Sequence, residues 1–225
     1  MELEARPTKQ ATEVRQAGLV VAALELAAHS NPNNITTADL ARAVGITQGA
    51  VFRHFASKES IWLAVLDWTA QTMLSRLHEA AAGSDASPRQ PLDALQAIFT
   101  AHVEFLIAHP GVPRVIFQEL QHAADTPLKV RVRDLMQQYR MLVMTQLQHA
   151  KVQGLLRQGT DLQAASALFL GAVQGLVMQA LFSGQIQNMA TQAPAIFEIY
   201  LRGIATHEAL HHVAAKAAIH PESTP

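Results

Sequence analysis

The chain contains no cysteine. That one absence excludes disulfide scaffolds, thiol catalysis and cysteine-ligated zinc or iron–sulfur sites. Aromatic residues make up only 5% of the sequence, too few for an aromatic-dense scaffold. Neither sign of charge dominates: 17 Lys and Arg stand against 18 Asp and Glu, and only 16% of residues are charged. A polycationic nucleic-acid coat and an acidic tail protein are therefore both excluded. The longest apolar stretch, 168–182, is wetted by Gln174 and Gln179, and it falls short of the roughly twenty apolar residues that a membrane span needs. Residues 1–7 are acidic and have no apolar core, so no signal peptide is expected. The reading is a soluble, cytoplasmic chain. Serine-nucleophile motifs, glycine-rich phosphate loops and His-Glu-x-x-His runs are missing. Nothing in the placing of Glu104 and Glu119 points to a carboxylate pair. No catalytic residue and no cofactor is expected.

What is present is helix-forming sequence. The 225 residues are 49% hydrophobic, enough for a sizeable core in one large or two small domains. Ala, Leu, Gln, Met and Glu dominate, and β-branched runs with period-two alternation are absent. Proline and glycine cut the chain into about nine helices, an all-α fold. The expected spans are 8–29, 37–44, 48–54, 58–82, 91–108, 113–122, 127–153, 162–182 and 194–215. Pro91, Pro113, Pro127 and Pro194 are read as first-turn prolines, where the missing N–H costs nothing. Composition changes across helix 58–82, which is read as an element shared by two domains. The expected divisions are 1–57, 58–217 and a C-terminal tail at 218–225.

One segment carries far more information than the rest. Between Thr37 and Val51, two short helices must cross steeply. Ala41 is small where their backbones meet, and Gly45 tolerates the left-handed turn between them. Leu40, Val44, Ile46 and Val51 plug the angle. Thr47 is placed to cap the second helix, and Thr36 with Asp39 makes a capping-box start to the first. Together these features signal a DNA-binding helix-turn-helix. The second helix is short, so its first turn would face the major groove. Gln48, Ala50 and Arg53 are then candidates for base edges, since Gln reads adenine and Arg guanine bidentately. Gly49 allows close approach to phosphate, and Thr36, Thr37, Thr47, His54 and Lys58 complete the candidate DNA-binding set with Phe52. Val51 and Phe55 are read as core.

The run Gly45-Ile46-Thr47, Gly49, Phe52-Arg53-His54-Phe55 and Lys58-Glu59 resembles the DNA-binding domain of the tetracycline-repressor (TetR/AcrR) family. The resemblance implies phosphate contacts for Thr37, His54 and Lys58. It also implies an N-terminal three-helix domain joined through a shared long helix to a helical ligand-binding and dimerisation domain. Two departures bear on DNA affinity. The family usually has Tyr where this chain has Phe52, which removes a hydroxyl. Over residues 1–60 the basic residues Arg6, Lys9, Arg15, Arg42, Arg53 and Lys58 balance Glu2, Glu4, Glu13, Glu25, Asp39 and Glu59. Few phosphate contacts per subunit are therefore expected, with a modest salt slope unless a dimer doubles it.

One subunit offers too little contact for specific binding, so a homodimer on a palindromic, double-stranded operator is expected. Gly171, Ala172 and Gly175 share a face of helix 162–182 that permits close approach. Leu201, Ile204, His207, Glu208 and His211 on the last helix are read as completing the interface. For the implied small-molecule effector, the candidate pocket residues are Trp68, Phe99, His102, Phe105, Phe117, Gln118, His122 and Tyr139, with an apolar or aromatic effector favoured. Lys129, Arg131 and Arg133 are read as solvated surface. His207, His211 and His212 have chelate spacing but no accompanying carboxylate, so a solvated helix end is expected and no metal site. The function read from the sequence is a ligand-responsive regulator, most simply a repressor. The alternative is an all-α ligand-binding or enzymatic protein with a non-functional helix-turn-helix.

Overall fold

Capping and glycine chemistry set the boundaries of the first helices. The computed structural model describes residues 9–84 and 87–211; the expected tail at 218–225 and His212 lie outside the described residues. Helix α1 (Lys9–His29) is followed by a 3-10 turn (Pro32–Asn34) in which Asn31 caps through its side chain. Helix α2 (Thr37–Ala43) opens on a capping box: the Asp39 N–H donates to Thr36 Oγ1 at 3.1 Å, and the Thr36 N–H donates to Asp39 Oδ2 at 2.9 Å. Gly45 turns the chain at φ 68°. Thr47 Oγ1 then accepts the Ala50 N–H at 3.2 Å to start α3 (Gln48–His54). Next come α4 (Lys58–Ala82), α5 (Pro91–Ala108), α6 (Gly111–Leu120), α7 (Pro127–Val152), α8 (Leu162–Ser183) and α9 (Asn188–Ile204). Between α4 and α5 a two-residue antiparallel ladder pairs β1 (Gly83–Ser84) with β2 (Ser87–Pro88), where only a loop was expected.

The residues group into two compact units. The first comprises the chain to Thr72 together with His109–Leu135. Its core takes Leu19, Ala23 and Ala27 from α1, Leu40 from α2, Val51 from α3, Ile61 and Val65 from α4, and Val112 and Val115 from α6. Helix α6 starts at Gly111, two residues before the expected Pro113, because its first turn lies against α1. A Cβ at Gly111 would sit 2.1 Å from the Leu24 carbonyl oxygen. The Arg131–Asp67 ion pair, at 2.8 Å, joins the beginning of α7 to α4 within this unit.

The second unit comprises Met73–Ala108 and the chain from Met136 onward. Its core holds Leu95, Ile98 and Phe99 of α5, Tyr139, Val143 and Leu147 of α7, Phe169 and Val173 of α8, and Phe197 and Tyr200 of α9. Helix α8 is capped by Asp161, whose Oδ1 accepts the Gln163 N–H at 2.8 Å, and it ends at Gly184 with φ 70°. By length and composition α8 is apolar enough to cross a membrane, yet Phe169, Val173, Leu176 and Val177 are buried in this core.

The last helix corrects the sequence expectation at both ends. It begins at Asn188 and carries Pro194 in its interior. Met189, Ala193, Phe197, Tyr200 and Ile204 form one buried stripe across that proline, so burial outweighs the lost hydrogen bond. It stops at Ile204 rather than running to 215. Arg157 takes its terminal carbonyls: Nε donates to Ala205 O at 3.0 Å, and the Arg157 N–H donates to Ile204 O at 2.9 Å. Ala205 is extended and bridges Leu156, after which helical backbone resumes at His207.

Candidate nucleic-acid interface

Helix α3 has one inward and one outward face. Val51 and Phe55 are buried, as read from the sequence. Gln48, Gly49, Phe52 and Arg53 lie on the outer face, with Phe52 49% exposed. Ala50 departs from its expected place at a base edge: only 9% of it is exposed, because it packs inward beside Val51. Thr37 is likewise buried, and its Oγ1 accepts the Gln48 Nε2–H at 2.8 Å, tying α3 to α2. Thr36 and Thr47 are exposed and serve as caps.

The basic residues of α2, α3 and the start of α4 are in different states. Arg53 is exposed and has no hydrogen-bond or ion-pair partner among the described residues. Arg42 is paired with Asp39 at 3.2 Å, and the hydrogen bonds from Thr36 hold the Asp39 carboxyl below the usual range. Lys58 donates from Nζ to the Asn33 carbonyl at 2.8 Å, and partial burial lowers its pKa. His54 is half-buried; its carbonyl accepts the Gln16 amide at 2.9 Å, while its Nδ1 is buried without a partner. The Gln16 and Asn33 contacts had no sequence signal, because each joins residues far apart in the chain.

The effector candidates fall into both units. Trp68, Phe117, Gln118 and His122 belong to the first; Phe99, His102, Phe105 and Tyr139 belong to the second. Trp68 packs edge-on against His109 at 5.0 Å. His122 is exposed, 3.9 Å from the Glu119 carboxylate. In the second unit His102 Nδ1 lies 3.0 Å from Tyr139 Oη, and Phe99 stacks edge-on against Phe169 at 5.4 Å. Burial holds His102 neutral, its pKa lowered to about 4, and pushes Tyr139 and Tyr200 up. Arg131 and Arg133 pair with Asp67 and Asp125 on the surface, and Lys129 donates to the His122 carbonyl.

On α8, Gly171 and Gly175 are exposed, Ala172 is half-buried, and an added Cβ at either glycine meets nothing within 4 Å. The same face carries Leu168, Met178 and Phe182, the last 77% exposed; Ile199 of α9 is 72% exposed. Ile204 and Leu201, expected in an interface, are buried in the second unit's own core instead. The 3-4-3-4 spacing of 168, 171, 175, 178 and 182 is a heptad signal legible in the sequence, and it joins the apolar Leu168, Met178 and Phe182 to the two glycines. His207 and His211 are exposed, with their Nε2 atoms 2.9 Å apart. No group of three or more metal-ligating side chains occurs among the described residues.

A helix-turn-helix with a bare outer face, followed by a helical second unit, defines a DNA-binding transcriptional regulator. The chain belongs to the TetR family. Residues 19–65 match the model for bacterial regulatory proteins of the tetR family, and residues 71–203 match that for the C-terminal region of YsiA-like proteins. It is similar to nucleoid occlusion factor SlmA of Haemophilus ducreyi, 29% identical over 72% of this chain and 76% of that protein. Its similarity to SlmA of Glaesserella parasuis is 30% over 65% of this chain and 70% of that protein. Among solved structures, it resembles FadR of Bacillus subtilis in complex with stearoyl-CoA. There the TM-score is 0.72 at 17% identity, over 84% of this chain and 98% of that one. It also resembles the ketosteroid regulator KstR2 of Mycobacterium tuberculosis, with TM-score 0.69 at 22% identity over 92% and 98%. Both structural likenesses are of fold.

Proposed function

We propose that this chain is a cytoplasmic, ligand-responsive repressor that binds a palindromic operator as a homodimer and is released by a small apolar or aromatic effector. The observation that carries this reading is the outer face of α3, where Gln48, Gly49, Phe52 and Arg53 stand free of the core. Gln48 and Arg53 are the base-reading candidates; Thr36, Thr47, His54 and Lys58 are the candidates for positioning on phosphate. Pairing is supported by the exposed Leu168, Met178 and Phe182, which share a face of α8 with Gly171 and Gly175 and which a second copy would cover. A two-fold pair would set the recognition helices about one DNA turn apart.

Release follows from continuity of the chain. Helix α4 gives Lys58–Thr72 to the first unit and Met73–Ala82 to the second. An effector that binds the second unit with α4 tilted favours a state in which the recognition helices no longer match adjacent grooves. FadR and KstR2, as named, support lipid-like or steroid-like effectors for the fold.

Nuclease protection of the promoter fragment beside the gene tests this directly. Two protected half-sites, lost on adding an apolar effector, are expected. A purified chain that binds ligand yet protects no fragment at low salt is the alternative, an all-α ligand-binding or enzymatic protein. The similarity to SlmA favours a second reading, in which DNA binding serves nucleoid occlusion. Under that reading, deleting the gene leaves transcripts beside the bound sites unchanged.

A further inference from the structure

The core of the second unit buries polar side chains where apolar ones would pack without penalty. His102, Tyr139, Ser166 and Tyr200 are all more than nine-tenths buried. His102 and Tyr139 satisfy one another across 3.0 Å. Ser166 Oγ and Tyr200 Oη have no hydrogen-bond partner. Tyr139 and Tyr200 both pack against Phe169. The Tyr200 ring lies 5.5 Å from Phe169 and the Tyr139 ring 6.3 Å from it, both edge-on. Ser166 is one turn before Phe169 on the same buried face of α8. Phe99 and Phe197 complete an aromatic lining.

A buried hydroxyl without a partner keeps its desolvation cost and gains nothing for it. Phe at 200 and Ala at 166 would fill nearly the same space without that cost. The hydroxyls therefore point to a partner that is not part of the chain. We infer that Ser166 and Tyr200, beside the His102–Tyr139 pair, recognise a neutral oxygen acceptor on an otherwise apolar, aromatic effector: a ketone, ester or ether.

Two arguments select that chemistry. His102 and Tyr139 engage one another, which leaves the hydroxyls of Ser166 and Tyr200 as two O–H donors with no partner in the chain. One acceptor oxygen on the ligand can take both donors. Charge selects the rest. Among the described residues of the second unit no Lys or Arg is buried, and His102 resists protonation. A carboxylate or phosphate in this lining would be a buried charge without a counter-ion. Ser166 and Tyr200 are shut off from solvent, so entry requires a side chain to turn aside and association is slower than unhindered encounter.

The inference rests on the reading that the second unit takes an effector, and the test separates the two. Three probes of one shape are titrated into the full chain by calorimetry: 2-acetonaphthone, 2-naphthoate and 2-ethylnaphthalene. Wild type, Tyr200→Phe and Ser166→Ala are compared, and all three proteins are also melted without ligand. The ketone is expected to bind best, with the carboxylate at least about tenfold weaker. Tyr200→Phe should weaken the ketone about tenfold and leave the hydrocarbon unchanged. Without ligand, Tyr200→Phe should melt about 2–4 °C above wild type, because an unpaired polar group has been removed. Equal binding of ketone and hydrocarbon to all three proteins overturns the hydroxyl role while leaving the effector site standing. Tightest binding by the carboxylate overturns the neutral class. A lower melting temperature for Tyr200→Phe overturns it as well, since the hydroxyl is then satisfied inside the fold, by an internal water for example. If none of the probes binds any of the proteins, the inference and the effector reading of this unit fall together.

Discussion

At Gly111 the absence of a side chain is a packing requirement, since a Cβ there would stand 2.1 Å from the Leu24 carbonyl oxygen. Neither atom belongs to a flexible side chain, so α1 or α6 would have to move. Gly111→Ala should lower stability by about 3 kcal/mol, read as a fall in the urea midpoint at constant slope. His102 adds a pH dependence whose sign is fixed by burial. Its folded pKa of about 4 lies below the ordinary value of 6.5. The unfolded chain therefore binds more protons between those values, and stability contributed by neutral His102 is present above pH 6.5 and lost as pH falls toward 4. The loss reaches up to about 3 kcal/mol. In His102→Asn, whose amide can still hydrogen-bond Tyr139, the acid limb of the unfolding profile should be shallower by that amount. Phe52 makes a third residue-scale prediction. It is half-exposed beside Arg53, so Phe52→Tyr places a hydroxyl on the outer face and should tighten operator binding at fixed salt. An unchanged affinity would mean that the ring stays off the DNA.

The elements differ in how local their causes are, and that decided which could be read from sequence. Helices α2 and α3 were legible almost to the residue because Thr36, Asp39, Gly45 and Thr47 act on neighbours within four positions. Helix α9 was not. Pro194 looked like a first-turn proline, but the buried stripe from Met189 to Ile204 carries the helix through it. Its end is set by Arg157, 45 residues away from Arg202 whose carbonyl it also binds. No local pattern announces such a clasp. Among the site residues the same rule holds: the exposed positions of α3 followed from helical period, whereas inward Ala50 and the Gln48–Thr37 bond depend on how α2 and α3 cross. Arg157→Ala should leave the Arg202 and Ala205 carbonyls to solvent. Stability is then expected to fall by about 1–2 kcal/mol, with amide exchange accelerated more at Ala205 and Thr206 than within α9.

For the molecule as a whole, sequence composition gave little hint of DNA binding, because the charges over residues 1–60 cancel. In the proposed reading, affinity comes from few contacts used twice, and pairing of subunits is then part of recognition rather than an accessory to it. Phe182→Glu, placed on the exposed face of α8, should convert the protein to a monomer in sedimentation at micromolar concentration and weaken operator binding steeply. A monomeric wild type would contradict the pairing. The central claim, that α3 reads a duplex groove, is tested most directly by measuring the affinity of the wild type and Arg53→Ala for a duplex selected from a random pool, against random-sequence competitor. The account predicts a clear preference for the selected duplex, and a loss of about ten- to a hundredfold on that duplex alone in Arg53→Ala. Equal affinity of the wild type for selected and random duplexes, even at low ionic strength and without effector, would contradict it.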